Sequence, residues 1–389
     1  MAQSATITWA EQAAERTTSI PWYIWTCVIA VTSASVGGIW DISWHKSIGR
    51  DTFWTAPHML IQLCGVLAGI SCGYLILSGT FGRSAAPEGS VRIWGFRGPL
   101  GAFVAAWGGV AMITSAPFDN WWHAAYGLDV KVLSPPHVLL ILGILVIRIG
   151  TLLLILGHLN RVPGGERKGA EALLLYVYTF LLVTSFGVFQ EFLLRNYMHS
   201  ALFYMLMTLG SCFFLAGLYR MSDSRWAGTI VCGIYTVLNL LYVWILPLFP
   251  AEPKLGPVYQ NITHFVPPDF PILVIVPAFL LDLTRPYWQR WNYWLRAAVI
   301  PPIFLAALLA VQWPFANFLM TPAAHNRVFG SGYFPFFVPT STDWVRNVFS
   351  HVEPDAAHFW MRVAWTLVIG TLMARAGFSW GAWMRKVRR

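Results

Sequence analysis

The stretch "DISWHKSIGRDTFWTAPH", residues 41–58, decides how this chain is read. It crowds two Asp, two His and an Arg against a long apolar run. A second stretch, "DNWWHAAYGLDVKVLSPPH", residues 119–137, does the same. The rest of the chain makes this unusual. Of 389 residues, 57% are hydrophobic and only 11% charged, with a mean hydropathy of +0.57. Soluble domains carry about 25% charged residues. Apolar runs of about 20 residues recur along the whole length, and that length crosses a bilayer. A chain so poor in charge has set many polar side chains together at one membrane edge, and has done so twice.

Working outward from these stretches, spans are predicted near 20–40, 58–80, 98–118, 137–157, 172–190, 200–220, 227–249, 269–283, 297–319 and 359–377. The fold class is therefore all-α: a polytopic transmembrane bundle of about ten spans, forming a single integral-membrane domain over residues 1–389. The eighth span is short and weakened by Pro271 and Pro277. Residues 172–389 hold the later spans and a long outer loop, 320–358, rich in Gly, Pro and aromatics. The N-terminal "AEQAAERTT" lacks a signal-peptide n-region, so the first span is expected to stay.

The net charge of +9 does not point to nucleic acid. With the N-terminus inside, most Lys and Arg fall in loops that face the cytoplasm, as the positive-inside bias requires. Both termini are then cytoplasmic, and the expected location is a bacterial inner membrane. The C-terminal "RKVRR" also suits anionic lipid. The five cysteines all lie in apolar runs without a CxxC pair, so neither a disulfide framework nor a thiolate metal site is expected.

The histidines sharpen the picture. On this map His45, His58, His123, His137, His199, His264, His325, His351 and His358 fall at the outer edge, and only His158 inside. Imidazole is the commonest side-chain metal ligand. Asp41, Trp44, His45, Gly49, Asp51, Pro57 and His58 align with Asp119, Trp122, His123, Gly127, Asp129, Pro136 and His137, with one residue inserted in the second copy. This predicts an internal repeat of a helix–loop–helix unit, residues 18–80 and 98–157. Asp41 and His45 are four apart and share a face if the first helix continues through them. Pro57 suits the start of a helix that carries His58. Two antiparallel helices can thus aim one carboxylate and two imidazoles at one point, and Asp119, His123 and His137 can do the same. Such a set suits copper, zinc or non-haem iron. Asp51 and Asp129 are candidate acceptors that orient a ligating imidazole.

The run Asp41, Trp44, His45, Arg50, Asp51, Thr52, Phe53, Thr55, Pro57 and His58 resembles the signature in the C subunit of the particulate methane and ammonia monooxygenases. In that family the same spacing of Asp, His and His forms an intramembrane copper site. The resemblance implies that Asp41, His45 and His58 are copper ligands near an oxygen-activating centre. It covers residues 41–58. The family also places an Asn and a further His on a later helix. Asn196 with His199, and Asn261 with His264, are three apart where the family has four, so that role is not carried over.

Glu191 and His199, in "FQEFLLRNYMHS", and His264, in "YQNITHFVPPDFP", are further candidate ligands. Glu191 and Arg195 can instead form an interfacial ion pair. His351 and His358, with Glu353 and Asp355, either recruit a metal or are solvated loop residues. Arg148, deep in the fourth span, is expected to snorkel or to pair with Asp282.

Two function classes follow. The first is a copper-dependent membrane oxidoreductase of monooxygenase type, acting on a small substrate. Its electrons would come from a quinol or another subunit, since no haem or flavin motif is visible. The second is a non-catalytic metal-handling or transport protein, or a structural subunit of a larger membrane complex. Either has the lipid bilayer as its surroundings, with other membrane subunits or further copies of the chain as expected partners.

Overall fold

The computed structural model describes residues 20–49, 53–82, 87, 89–127, 133–162, 167–189, 197–254, 262–324, 326–329 and 352–388. Ten α-helices account for most of them: α1 Trp22–Ser47, α2 Ala56–Phe81, α3 Leu100–Tyr126, α4 Pro135–Leu159, α5 Arg167–Val188, α6 Ala201–Met221, α7 Ala227–Ile245, α8 Ile275–Trp288, α9 Tyr293–Leu319 and α10 Ala356–Met384. Eight of these, all except α8 and α10, are long and apolar enough to cross a membrane; α7 qualifies together with the 3-10 turn that extends it to Leu248.

The two remaining helices differ from the predicted spans for separate reasons. Pro267, Pro268 and Pro271 hold the chain out of helix until Ile275, so α8 has only 14 residues. Its length is about 21 Å, short of the roughly 30 Å hydrocarbon core. Helix α10 has 29 residues, longer than the predicted 359–377, but carries Arg362 and Arg375. Arg375 lies over the rings of Tyr293 and Trp294 on α9.

Between α2 and α3, where a loop was expected, Val91–Ile93 pairs antiparallel with Phe96–Gly98. The two-residue turn has φ of +51° at Trp94 and +91° at Gly95, the backbone hand that tight hairpins require.

Helices α1 to α4 pack in sequence order, each against the next. Helices α6, α9 and α10 pack together further along the chain, and α5 touches α1, α4 and α7. Close approach in the first group depends on glycine. A Cβ on Gly37 would lie 2.8 Å from Ile61 N on α2, and one on Gly108 would lie 2.7 Å from Gly143 O on α4. Small residues allow this intimacy where lipid removes the hydrophobic drive for helices to associate. Ile70, Leu77, Trp107, Ile113, Leu142 and Leu372 are exposed, as helix faces turned to acyl chains must be.

The antiparallel order brings the last turns of α1 and α3 and the first turns of α2 and α4 to one end of the bundle. That end carries Asp41, His45, His58, Asp119, His123 and His137.

Candidate metal centre

Helix α1 runs without a break to Ser47, so Asp41 and His45 stand one turn apart on one face. Helix α2 opens at Ala56 with Pro57 in its first turn, which sets His58 facing them. Helices α3 and α4 repeat the arrangement. Asp119 and His123 sit before the end of α3 at Tyr126, and Pro135 and Pro136 open α4 before His137.

The distances define two compact clusters. Asp41 Oδ1 lies 3.5 Å from His45 Nε2 and 3.1 Å from His58 Nε2. Asp119 Oδ1 lies 3.2 Å from His123 Nε2 and 3.3 Å from His137 Nε2. In each cluster one ligand atom from every residue lies within 4.8 Å of the others. Bonds of 2.0–2.1 Å at the tetrahedral angle separate neighbouring ligand atoms by about 3.3 Å. The carboxylate–imidazole distances of both clusters match that separation.

Hydrogen bonding supports the same reading. His58 Nδ1 faces Phe53 O at 3.1 Å, and His123 Nδ1 faces Gly127 O at 3.0 Å. A carbonyl only accepts, so Nδ1 carries the proton and donates it. The neutral ring then presents a lone pair at Nε2, the atom nearest the carboxylate. A lone pair against a carboxylate oxygen is repulsive unless a cation lies between them or the ring gains a second proton. Asp41 Oδ1 and His123 Nε2 are buried, and among the described residues neither meets a partner at hydrogen-bond angle. The residues therefore fit a bound cation. Fixing the tautomer of a ligating imidazole through its other nitrogen is a recurrent feature of metal centres.

Gly127 has φ +90° and Gly49 has φ +85°, a region L side chains rarely adopt. Each glycine stands eight residues after its Asp. The aligned glycines in the sequence were the one available signal for the turn that aims Gly127 O at His123. The orienting role of Phe53 O had no signal, because every residue has a carbonyl.

The surroundings of the two clusters differ. The end of α1 is held by a returning segment: Ser43 Oγ donates to Val266 O, Val266 N donates to Ser47 Oγ, and Lys254 N donates to Ile48 O. The end of α3 is more open, with Trp121 and Tyr126 exposed.

One cavity of about 630 Å³ reaches both clusters. Asp41, His45, His58, Asp119 and His137 line it, its walls are mostly aliphatic, and Arg148 lines it as well.

The other candidates fall elsewhere. His199 Nε2 pairs with Asn317 Oδ1 at 2.9 Å and packs edge-on against Trp313. His264 Nδ1 contacts Thr263 Oγ1, and its backbone bridges to Pro250. Among the described residues neither joins a cluster of three ligands. Asp51, Asp129 and Glu191 lie outside the described residues, as do Arg195, Asn196, Asn261, His325 and His351. Glu353 is no solvated loop residue: it is buried and accepts from Ser200 Oγ and from the Ala201 and Leu202 amides. Asp355 caps α10 and contacts His358 Nδ1 at 2.8 Å. The His358 amide that donates to it holds its carboxyl below the usual range.

Arg148 does not pair with Asp282. It donates to Phe180 O and Ser35 Oγ, whereas Asp282 accepts from Thr229 N and Oγ1 at the start of α7. The two residues belong to different helix groups, which the linear order of spans could not reveal.

The architecture is thus a multi-pass membrane bundle with two Asp/His/His groups able to bind metal. Comparison of the chain with protein-family models, with curated proteins and with solved structures found no match in any of the three.

Proposed function

We propose that this chain is a membrane copper protein of monooxygenase type, either an enzyme or the metal-bearing subunit of one, acting on a small substrate. Asp41, His45 and His58 would hold one copper, and Asp119, His123 and His137 a second. The observation that carries the reading is the set of carboxylate–imidazole separations, 3.1 to 3.5 Å in both clusters. Copper is preferred over zinc and non-haem iron on the resemblance of residues 41–58 to the copper-binding signature of the methane and ammonia monooxygenases.

The metal supplies the redox and oxygen chemistry. The chain's own residues position it and control access. One carboxylate and two imidazoles leave open coordination positions. Phe53 O and Gly127 O keep a lone pair on the Nε2 atoms of His58 and His123. The largely aliphatic walls of the cavity suit an apolar molecule. Electrons come from a quinol or a partner subunit. In this reading the helix pairs α1–α2 and α3–α4 descend from one duplicated hairpin, both termini are cytoplasmic, and both sites lie at the periplasmic edge of a bacterial inner membrane.

Metal analysis of the purified protein tests the proposal. About two copper ions per chain are expected after reconstitution with copper. His45→Ala and His123→Ala should each remove one, and the double variant both. No bound transition metal in the wild type would end the proposal. Zinc bound in place of copper would end the oxygenase reading. Copper held without oxygen consumption in the assembled complex would leave a metal-handling role.

A further inference from the structure

Arg148 is the feature of the cavity that two metal centres do not use. Its residue is 3% exposed. It sits on α4, eleven residues inward from His137. Nη1 donates to Phe180 O at 3.0 Å and Nη2 to Ser35 Oγ at 2.8 Å. Both acceptors are neutral. Among the described residues no carboxylate pairs with this guanidinium. A guanidinium has five N–H donors and stays charged, so two bonds leave most of its capacity unused. Nε is buried without a partner. A buried cation without a counter-charge is costly, and ionisable groups at membrane depth mark ligand pathways.

The cavity places that cation at the end of an apolar passage. Ile39, Ile61, Leu140 and Ile144 line it, with the two clusters further along. Ser35, which the guanidinium touches, precedes Asp41 by six helical residues, about 9 Å along α1. A molecule whose anionic head meets Arg148 would therefore lay an alkyl chain along the aliphatic wall toward Asp41, His45 and His58.

We propose that this cavity binds an amphiphile with a single oxyanion head and an apolar chain, with the head on the Arg148 guanidinium. The planar fork of guanidinium matches a carboxylate through two parallel N–H···O bonds. Fatty carboxylates are one source of such a head, and anionic phospholipids are another. Binding at Arg148 requires no metal, so this inference stands apart from the copper proposal.

The test uses full-length protein in phosphatidylcholine nanodiscs, stripped of metal with a chelator, and radiolabelled octanoate, with empty discs to subtract partition into lipid. Saturable binding is expected. Arg148→Gln should weaken it by at least about ten-fold, the worth of a charge-assisted pair. Octanol, with the same chain and no charge, should displace octanoate at least about ten-fold less well than unlabelled octanoate does. Ile144→Trp, which fills the passage, should abolish binding while Arg148 remains. Arg148→Gln protein that still binds octanol is folded with its cavity intact. Replacing part of the phosphatidylcholine with phosphatidylglycerol separates the sources. A raised apparent Kd for octanoate assigns the head to a lipid, and an unchanged one assigns it to a free carboxylate; either keeps an anion on Arg148. Absence of saturable binding, or an Arg148→Gln variant that binds octanoate like the wild type, would overturn the inference.

Discussion

Carboxylates at the two ends of this chain are placed in opposite ways. In the later helices they cap helix starts. Glu353 accepts from Ser200 Oγ, from the Ala201 and Leu202 amides at the start of α6, and from Arg362 Nη1 at 2.6 Å. Asp282 serves the first turn of α7, and Asp355 the first turn of α10. Each sits where the helix dipole and the orphan amides favour a negative charge. Asp41 and Asp119 instead lie toward the C-terminal ends of α1 and α3, where the dipole gives a carboxylate no support. Their neighbours are imidazoles, two for each. Glu353, which accepts from amides, a hydroxyl and a guanidinium, has its charge compensated by the protein. In each pair one imidazole, His58 or His123, gives its Nδ1 proton to a carbonyl, so its Nε2 faces the carboxylate with a lone pair unless a cation lies between them or the ring gains a second proton. The contrast separates structural acids from ligands in a chain where burial alone does not.

Exchanging the two roles by mutation produces the largest effects and breaks the comparison if it is wrong. Glu353→Ala leaves buried donors and Arg362 without an acceptor, and should destabilise the protein by about 3–5 kcal/mol. It should leave metal content unchanged. Asp41→Ala should do the reverse: loss of the metal at the first cluster, with the metal-free protein destabilised less than by Glu353→Ala, since it removes a buried carboxylate without leaving amide donors and a guanidinium unpaired. Denaturant titrations of the metal-free proteins in detergent, paired with metal analysis, give both numbers. Equal destabilisation by the two variants would mean that Asp41 is a structural acid too.

A smaller effect is expected one shell out. Gly127 holds φ +90° and offers its carbonyl to His123 Nδ1. Gly127→Ala forces that turn to change, at a backbone cost of about 1–3 kcal/mol. The carbonyl then moves and His123 loses its fixed tautomer. Metal affinity at the second cluster should fall by about 10–100-fold, the usual penalty for a lost orienting partner. The first cluster should keep its affinity, since His58 is oriented by Phe53 O. Competition with a chromophoric chelator, run on protein with the other cluster disabled, reads each site separately. An unchanged second site would show that tautomer control is not needed there.

The membrane bundle and the meeting of each Asp with its two His were legible because both rest on local periodicity. Apolar runs of span length mark helices, and Asp-x3-His falls on one helical face whatever surrounds it. Pro57 and Pro136 marked the helix starts that bring His58 and His137 opposite. What stayed hidden depends on contacts between distant segments. Arg148 and Asp282 looked like a pair because both are charged and near apolar runs, but helix packing sets them in separate groups. Glu353 looked like a loop acid because nothing in "HVEPD" announces the start of α6, more than a hundred residues earlier. His199 carried no label distinguishing a ligand from the partner of Asn317. Helix α8 kept the apolar character of a span and lost the length, because three prolines delay its start.

The smallest predicted effect concerns spacing. Each cluster takes ligands from two helices, so its size depends on how closely the helices approach. On α1 the approach is set by Gly37, one turn before Asp41, where an added Cβ would meet Ile61 N at 2.8 Å and Pro57 O at 3.0 Å. These are backbone atoms of the helix that carries His58, so they yield only if α2 moves. Gly37→Ala should push the ends of α1 and α2 apart by a fraction of an ångström and lengthen the 3.1 Å gap between Asp41 and His58. Metal affinity at the first cluster should drop by about ten-fold, the lower end of the range for a lost orienting partner. Gly38 is the control. A Cβ there meets nothing within 4 Å, and alanine favours the helix by up to about 1 kcal/mol. Gly38→Ala should therefore leave metal affinity unchanged and stability equal or slightly higher. A matched loss of affinity in both variants would mean that helix propensity, rather than interhelical distance, governs the site. A loss confined to Gly37→Ala ties metal affinity to the width of one helix contact.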